Sequence, residues 1–214
     1  MSSPSQRSPR PSPTSIDGRA DVTRTAPKDW ARALEFARHI PDGWYRAQSL
    51  ATVAEHAPGE RVLDILNEAV QAANACHDEY GMVAVMSWPL QVAFMRGRIA
   101  FAERERDRTI ALAAKVEPLA SRAFAMQCLW GGCYSAGRQH AEPVWQAILQ
   151  LCHPDWSWRA ARLYWHIAEI RMRYEGGKSS AITVIRAMPE GKARAKLARR
   201  LGLVADERAP KGLQ

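Results

Sequence analysis

Two short clusters have the residue types of a metal site: Cys76-His77-Asp78 and Cys152-His153-Pro154-Asp155. Thiolate and imidazole are the usual ligands of zinc, which takes four in a tetrahedron. The two clusters stand at equivalent places two repeats apart. With helices packed 8–10 Å from one another, equivalent places two hairpins along lie roughly 20 Å apart or more, too far to share an ion. Cys128 and Cys133 are five apart and diverge on a helix. All four cysteines therefore read as reduced, mostly buried thiols, and no metal is expected. Gly176-Gly177-Lys178-Ser179 has the end of a phosphate loop, but Met172 occupies the place of its first glycine and a helix precedes it, so it reads as an inter-helix turn. Glu103, Glu105 and Asp107 alternate with Arg104, Arg106 and Arg108, which reads as a solvated helix start with intrahelical ion pairs. No Ser/His/Asp set or carboxylate pair has a local signature. No catalytic residue and no cofactor is expected.

The aromatic residues point instead to recognition. Eight tryptophans in 214 residues is a high number, and Trp and Arg are the preferred anchors of protein interfaces. Trp88, Trp130 and Trp165 each follow a recurring alanine by four to seven residues, which predicts one continuous binding face. Trp130, Tyr134 and Arg171 are its expected centre, with Trp88, Trp165, Arg138 and Tyr164 around them. The competing role is core packing, where a tryptophan contributes a large apolar surface.

What positions these residues is a set of helices. Alanine, the best helix former, accounts for 36 residues. Apolar residues recur at helical spacing, as in Ala33, Leu34, Phe36, Ala37 and Ile40, or Val62, Leu63, Leu66, Ala69, Val70 and Ala73. No alternating strand pattern is present, so the expected class is all-α. The pattern predicts ten helices, near 29–40, 44–57, 60–76, 79–97, 100–116, 120–136, 140–152, 157–175, 179–188 and 191–203.

Four segments share one plan: HIPDGWYRAQSL, KVEPLASRAFAM, LCHPDWSWRAARL and RAMPEGKARAKLA. Each has an apolar helix end, a proline turn and then Arg-Ala opening the next helix. With Val83-Ala84 as a degenerate copy, the alanines at 47, 84, 123, 160 and 195 step by 35 to 39 residues, one helical hairpin per step. Proline stops the preceding helix and fits the first turn of the next. Asp42 and Asp155 are placed to favour the helix start that follows them. The expected architecture is a short α-solenoid of four to five antiparallel hairpins.

The unit WGGCYSAGRQHAEPVWQAILQLCHP resembles a tetratricopeptide repeat. Gly131 and Tyr134 match the Gly-x-x-Tyr of that family's first helix, Ala141 and Trp145 the Ala-x-x-x-Phe of its second, and Pro154 the closing proline. Gln127 stands where the signature tryptophan would be, and the inter-helix turn is about two residues short. Ala181, Ile185 and Pro189 match a second unit in order. HEAT-like repeats are the alternative. The resemblance implies a groove lined by first helices that holds a peptide or partner protein.

Charge divides the chain. Residues 1–28 carry net +3, residues 178–214 net +6, and the stretch between net −1. Residues 1–27, rich in Ser, Pro and Arg, read as a disordered tail, 28–204 as the helical-repeat domain and 205–214 as a flexible end. The leading expectation is a non-enzymatic protein- or peptide-binding module serving as scaffold, adaptor or effector. Nucleic-acid binding through the basic termini is the alternative, and an enzyme on a helical scaffold the third reading. No apolar run spans a bilayer, so no membrane insertion is expected. A cytoplasmic location is expected, although the N-terminal composition also resembles the leaders of effectors exported by bacterial injection systems.

Overall fold

The structure is a computed structural model that describes residues 13–203. Among them it is all-α: α1 (Pro13–Thr25), α2 (Trp30–Arg38), α3 (Gly43–His56), α4 (Val62–Asn74), α5 (Glu79–Val85), α6 (Ser87–Met95), α7 (Ile99–Ala113), α8 (Leu119–Ala136), α9 (Arg138–Leu151), α10 (Trp158–Arg171), α11 (Lys178–Ala187) and α12 (Lys192–Arg200). A 3-10 turn, Gly59–Arg61, precedes α4, and a π-helical turn, Met172–Gly176, follows α10.

The hairpins are laid side by side. α3 packs on α5 and α6, these two on α8, and α8 on α10. Their second helices lie against them: α4 on α3, α7 on α5 and α6, α9 on α8, α11 on α10. The repeated alanine sits in these contacts. Ala47, Ala84, Ala123 and Ala160 are all buried, whereas Ala195, last in the series, is exposed. Small side chains at these points let helix backbones approach closely. The closest approach falls at Gly132 of α8, where a Cβ would collide with the Ser87 backbone of α6. Gly131, the glycine that matches the repeat motif, meets nothing within 4 Å.

The repeated arginine closes three of the four proline turns, Arg159 lying instead over the Trp158 ring. Arg46 Nη1 donates to Ile40 O at 3.3 Å, Arg122 Nε to Val116 O at 3.1 Å, and Arg194 Nη1 to Met188 O at 3.3 Å. Each reaches six residues back, to a helix-end carbonyl without an intrahelical partner. Arg96, at the end of α6, does the same across the fold. It donates to Ala54 O at 3.3 Å and Ala57 O at 2.7 Å, and also to Glu55 O. Asp42 caps α3 through Tyr45 N at 3.0 Å. Asp155, expected to serve α10, does not cap it: Ser157 does, and Asp155 Oδ1 accepts from Ala193 N of α12 at 2.8 Å.

Three expectations change. The helix expected over 79–97 breaks into α5 and α6 at Met86, because Pro89 lacks the N–H that would bond Val85 and instead takes its place in a new first turn. The alternating charges of α7 from Arg104 to Arg108 are paired within the helix, but Glu105 and Arg106 are buried rather than solvated. Burial is tolerated because each has an opposite charge within 3.0 Å. The disordered tail is the third. Residues 13–25 are α1, packed on α2 and α3, with Ser15, Val22 and Ala26 buried and Arg19 donating to Gln48 Oε1 at 2.9 Å. A stripe of mostly small residues does the packing, with Gly18 facing Ile40, and so gives no apolar periodicity to read. The folded body therefore starts by residue 13 and includes residues 26 and 27, and residues 1–12 and 205–214 of the two tails lie outside the described residues.

Two outcomes follow from this packing. Gly132→Ala should destabilise the protein by about 1–3 kcal/mol through overpacking. Gly131→Ala should stabilise it by about 0.5–1 kcal/mol through helix propensity alone. Chemical denaturation of the two variants checks the pair. Deletion of residues 1–25 should lower the melting temperature clearly, since burying Val22 alone contributes about 1.5–3 kcal/mol; an unchanged melt by circular dichroism would show α1 to be dispensable.

Candidate functional site

The face expected from Trp130, Tyr134, Arg171, Trp88, Trp165, Arg138 and Tyr164 does not form as one surface. Five of these residues meet around the C-terminal end of α10, mostly inside the protein. Trp130 is fully buried and stacks on Tyr134 with ring centroids 4.6 Å apart. Tyr164 is fully buried, edge-on to Trp145 at 5.4 Å, with its hydroxyl donating to Ile148 O at 3.3 Å. Arg171 is 3 % exposed, lies over the Trp145 ring at 5.5 Å and pairs with Glu142 at 3.2 Å. Its Nε is 3.9 Å from Glu175, which also pairs with Arg138 at 3.3 Å. Arg138 alone of the five is exposed.

The π-helical turn carries Glu175 and keeps its carboxylate among these partners. Burial and that carboxylate push the Tyr134 hydroxyl up to about 12, so it stays a neutral hydroxyl. The arrangement is two arginines balanced by two carboxylates. It ties α8, α9 and α10 together, and Trp130, Tyr164 and Arg171 are not presented to a partner.

The reason lies in helix geometry. At about 100° per residue, Trp130 and Tyr134 lie within roughly 20° of Ala123 on α8, and Arg171 within roughly 20° of Ala160 on α10. They share the buried face that the alanine marks. Trp165 lies about 140° from Ala160, on the opposite side.

The exposed aromatic surface is elsewhere. Trp88 of α6 meets Trp44 of α3 edge to face at 6.0 Å; Trp44 stacks with Tyr80 of α5 at 6.3 Å; Tyr80 stacks with Phe124 of α8 at 6.3 Å. Four helices thus contribute one ring each to a continuous row. Trp88 is 37 % and Phe124 51 % exposed, and Trp44 and Tyr80 are half-buried. Tyr80 and Phe124 were missed by sequence reasoning, which followed the tryptophans set four to seven residues after the recurring alanine and the residues grouped with them, and Trp44 lies outside that spacing.

Beside the row, a recess of about 290 Å³ opens between the starts of α3 and α5, lined by Trp44, Tyr80, Asp42, Asp78, Cys76 and His77 among others. Asp78 caps α5 by accepting from Gly81 N at 2.7 Å. Burial first, then the Asp42 and Asp78 carboxylates, push the Cys76 thiol up to about 11. Burial pushes Cys133 and Cys152 to about 12. None of these three supplies a thiolate near neutral pH.

Trp165 belongs to a third place. Its ring carries the Arg200 guanidinium 3.3 Å from the centroid, where α10 meets α12. Gly176 and Gly177 form the turn into α11, with Gly177 at φ +70°. Among the described residues no group of three or more His, Cys, Asp or Glu side chains is placed to hold a metal ion. Among them, too, no helix is long and apolar enough to cross a membrane. No family model matches the chain, and neither does any curated protein or solved structure.

The thiols give a direct check. At pH 8 iodoacetamide should leave Cys133 and Cys152 unmodified in the native protein and modify all four cysteines in guanidinium chloride. Fast native labelling of Cys152 would show that α9 does not bury it.

Proposed function

We propose that this chain is a tetratricopeptide-like helical-repeat module that binds a segment of a partner protein along the exposed face of its first helices. The observation that carries the reading is the row Trp88–Trp44–Tyr80–Phe124, drawn from α6, α3, α5 and α8. Rings of this size are costly to leave in water, and a contiguous exposed apolar patch marks an interaction surface. Their mutual contacts fix the rings before a partner arrives, so little side-chain entropy remains to be lost on binding. The recess beside Trp44 and Tyr80 supplies a socket for one partner side chain, with carboxylates at its edge. Hairpins laid side by side repeat the same exposed edge along the protein, which suits an extended or helical segment.

The binding residues of this reading are Trp44, Tyr80, Trp88 and Phe124. Of the seven residues expected to form the binding face, Trp88 is the one retained. Selection of a random peptide display library on the immobilised protein tests it. Enriched peptides should bind the wild type and lose about tenfold or more in affinity to the Trp88→Ser/Phe124→Ser variant. The melting temperature should fall only modestly, because Phe124 is half exposed and Trp88 lies at the end of the row with 37 % exposure. A selection that yields no peptide dependent on these two residues overturns the reading.

A further inference from the structure

The end of the protein formed by α10 and α12 differs in chemistry from the aromatic row. α12 has the sequence KARAKLARR, with Lys192, Lys196, Arg199 and Arg200 exposed and no acidic residue. The exposed face of α10 adds Arg159 and Arg162, and Glu169 is its one acidic residue. The two helices are held in register by Asp155, whose carboxylate caps α12 through Ala193 N at 2.8 Å. A recess of about 240 Å³ lies between them, and Trp158, Arg162, Trp165, Lys196 and Arg200 all line it.

Indole rings stand among these charges. Trp156 is 66 % and Trp158 67 % exposed. Each is already oriented on one side: Trp156 stacks with His153 at 4.8 Å, and the Arg159 guanidinium lies over Trp158 at 5.3 Å. A core-packing role is closed to rings two-thirds in solvent.

We propose that this α10–α12 face binds single-stranded nucleic acid, with Trp156 and Trp158 stacking on bases and Arg159, Arg162, Lys196 and Arg199 contacting phosphates. A basic track beside exposed aromatic rings is the arrangement that single-strand recognition requires: the cations follow the backbone, and every unpaired base offers a π-face. Duplex DNA would use the cations and leave the indoles idle, because its bases are already stacked on one another. An anionic bilayer fits less well, since Leu197 and Ala198 are buried against the body and α12 keeps no apolar face to insert. The charge favours a polyanion, and the rings select the kind.

The test is fluorescence anisotropy with a labelled oligothymidylate over a potassium chloride series, with a duplex of equal length and polyglutamate as comparison ligands. Oligothymidylate should bind most tightly, and its affinity should fall with salt by a log–log slope of about 0.7 for each phosphate engaged. Trp158→Ala should weaken binding about fivefold or more. Lys196→Gln/Arg199→Gln should reduce the salt slope by about 1.4, two phosphate contacts' worth. All three side chains are exposed, so thermal melts should match the wild type. The proposal fails if oligothymidylate does not bind at low salt. It fails equally if duplex or polyglutamate binds as tightly, or if Trp156→Ala and Trp158→Ala leave affinity unchanged. None of these results bears on the aromatic row of α3, α5, α6 and α8, which is a separate surface.

Discussion

Close approach of successive first helices is the constraint on which this fold rests. Ala47, Ala84, Ala123 and Ala160 mark the side of each helix that faces its neighbours, and Gly132 marks the point where two backbones nearly touch. A side chain larger than methyl at the alanines, or any side chain at Gly132, separates the helices. The consequences reach beyond packing. Because the alanine face must be buried, any residue at the same helical angle goes inside with it, whatever its chemistry. That is why Trp130 and Arg171 are interior residues and Tyr134 is partly covered. Arg171 then needs Glu142 and Glu175 beside it, since an unpaired buried guanidinium would be strongly destabilising.

Arginine has two separate uses in this chain. Arg46, Arg96, Arg122 and Arg194 spend their donors on helix-end carbonyls, where the partial negative charge of the helix terminus and the unpaired oxygens both favour a cation. This fastens these helix ends without a large apolar contact, which suits a chain whose recurring helix contacts are made by alanine. The arginines of α10 and α12 are different. Arg162 is exposed beside Trp158 and Trp165, and with the exposed Arg199 it adds to the positive character of that end.

The exposed aromatics arise from the same geometry. Trp44, Tyr80 and Phe124 sit at helix angles away from the alanine contact or at the first turn of a helix, and so escape burial. Trp88 is exposed because the helix breaks at Met86 and restarts at Ser87, which turns its side chain outward beside Trp44. The break depends on Pro89, so one backbone group missing from a hydrogen-bond ladder shapes the end of the proposed binding row.

The sequence by itself determined the all-α class, and it placed all ten expected helices to within a few residues, the one over 79–97 as a broken pair. Proline turns, capping aspartates and apolar spacing are local signals, carried by neighbours in the chain. It also held the key to burial, since the angle of each aromatic residue from the recurring alanine could have been measured along the helix; counting spacing without angle put Trp130 and Trp165 on one face when they lie on opposite ones. Other features had no local signal. α1 packs through Ser15, Gly18, Val22 and Ala26, residues too small to look like a core until α2 and α3 are beside them. Glu105 and Arg106 look solvated until α7 is set against its neighbours. Asp155 follows a proline like any helix-start aspartate, yet it caps a helix 38 residues away. The aromatic row joins Trp44, Tyr80, Trp88 and Phe124 from four helices. Which rings meet across helices depends on how backbones stack in space, and only the tertiary structure decides that.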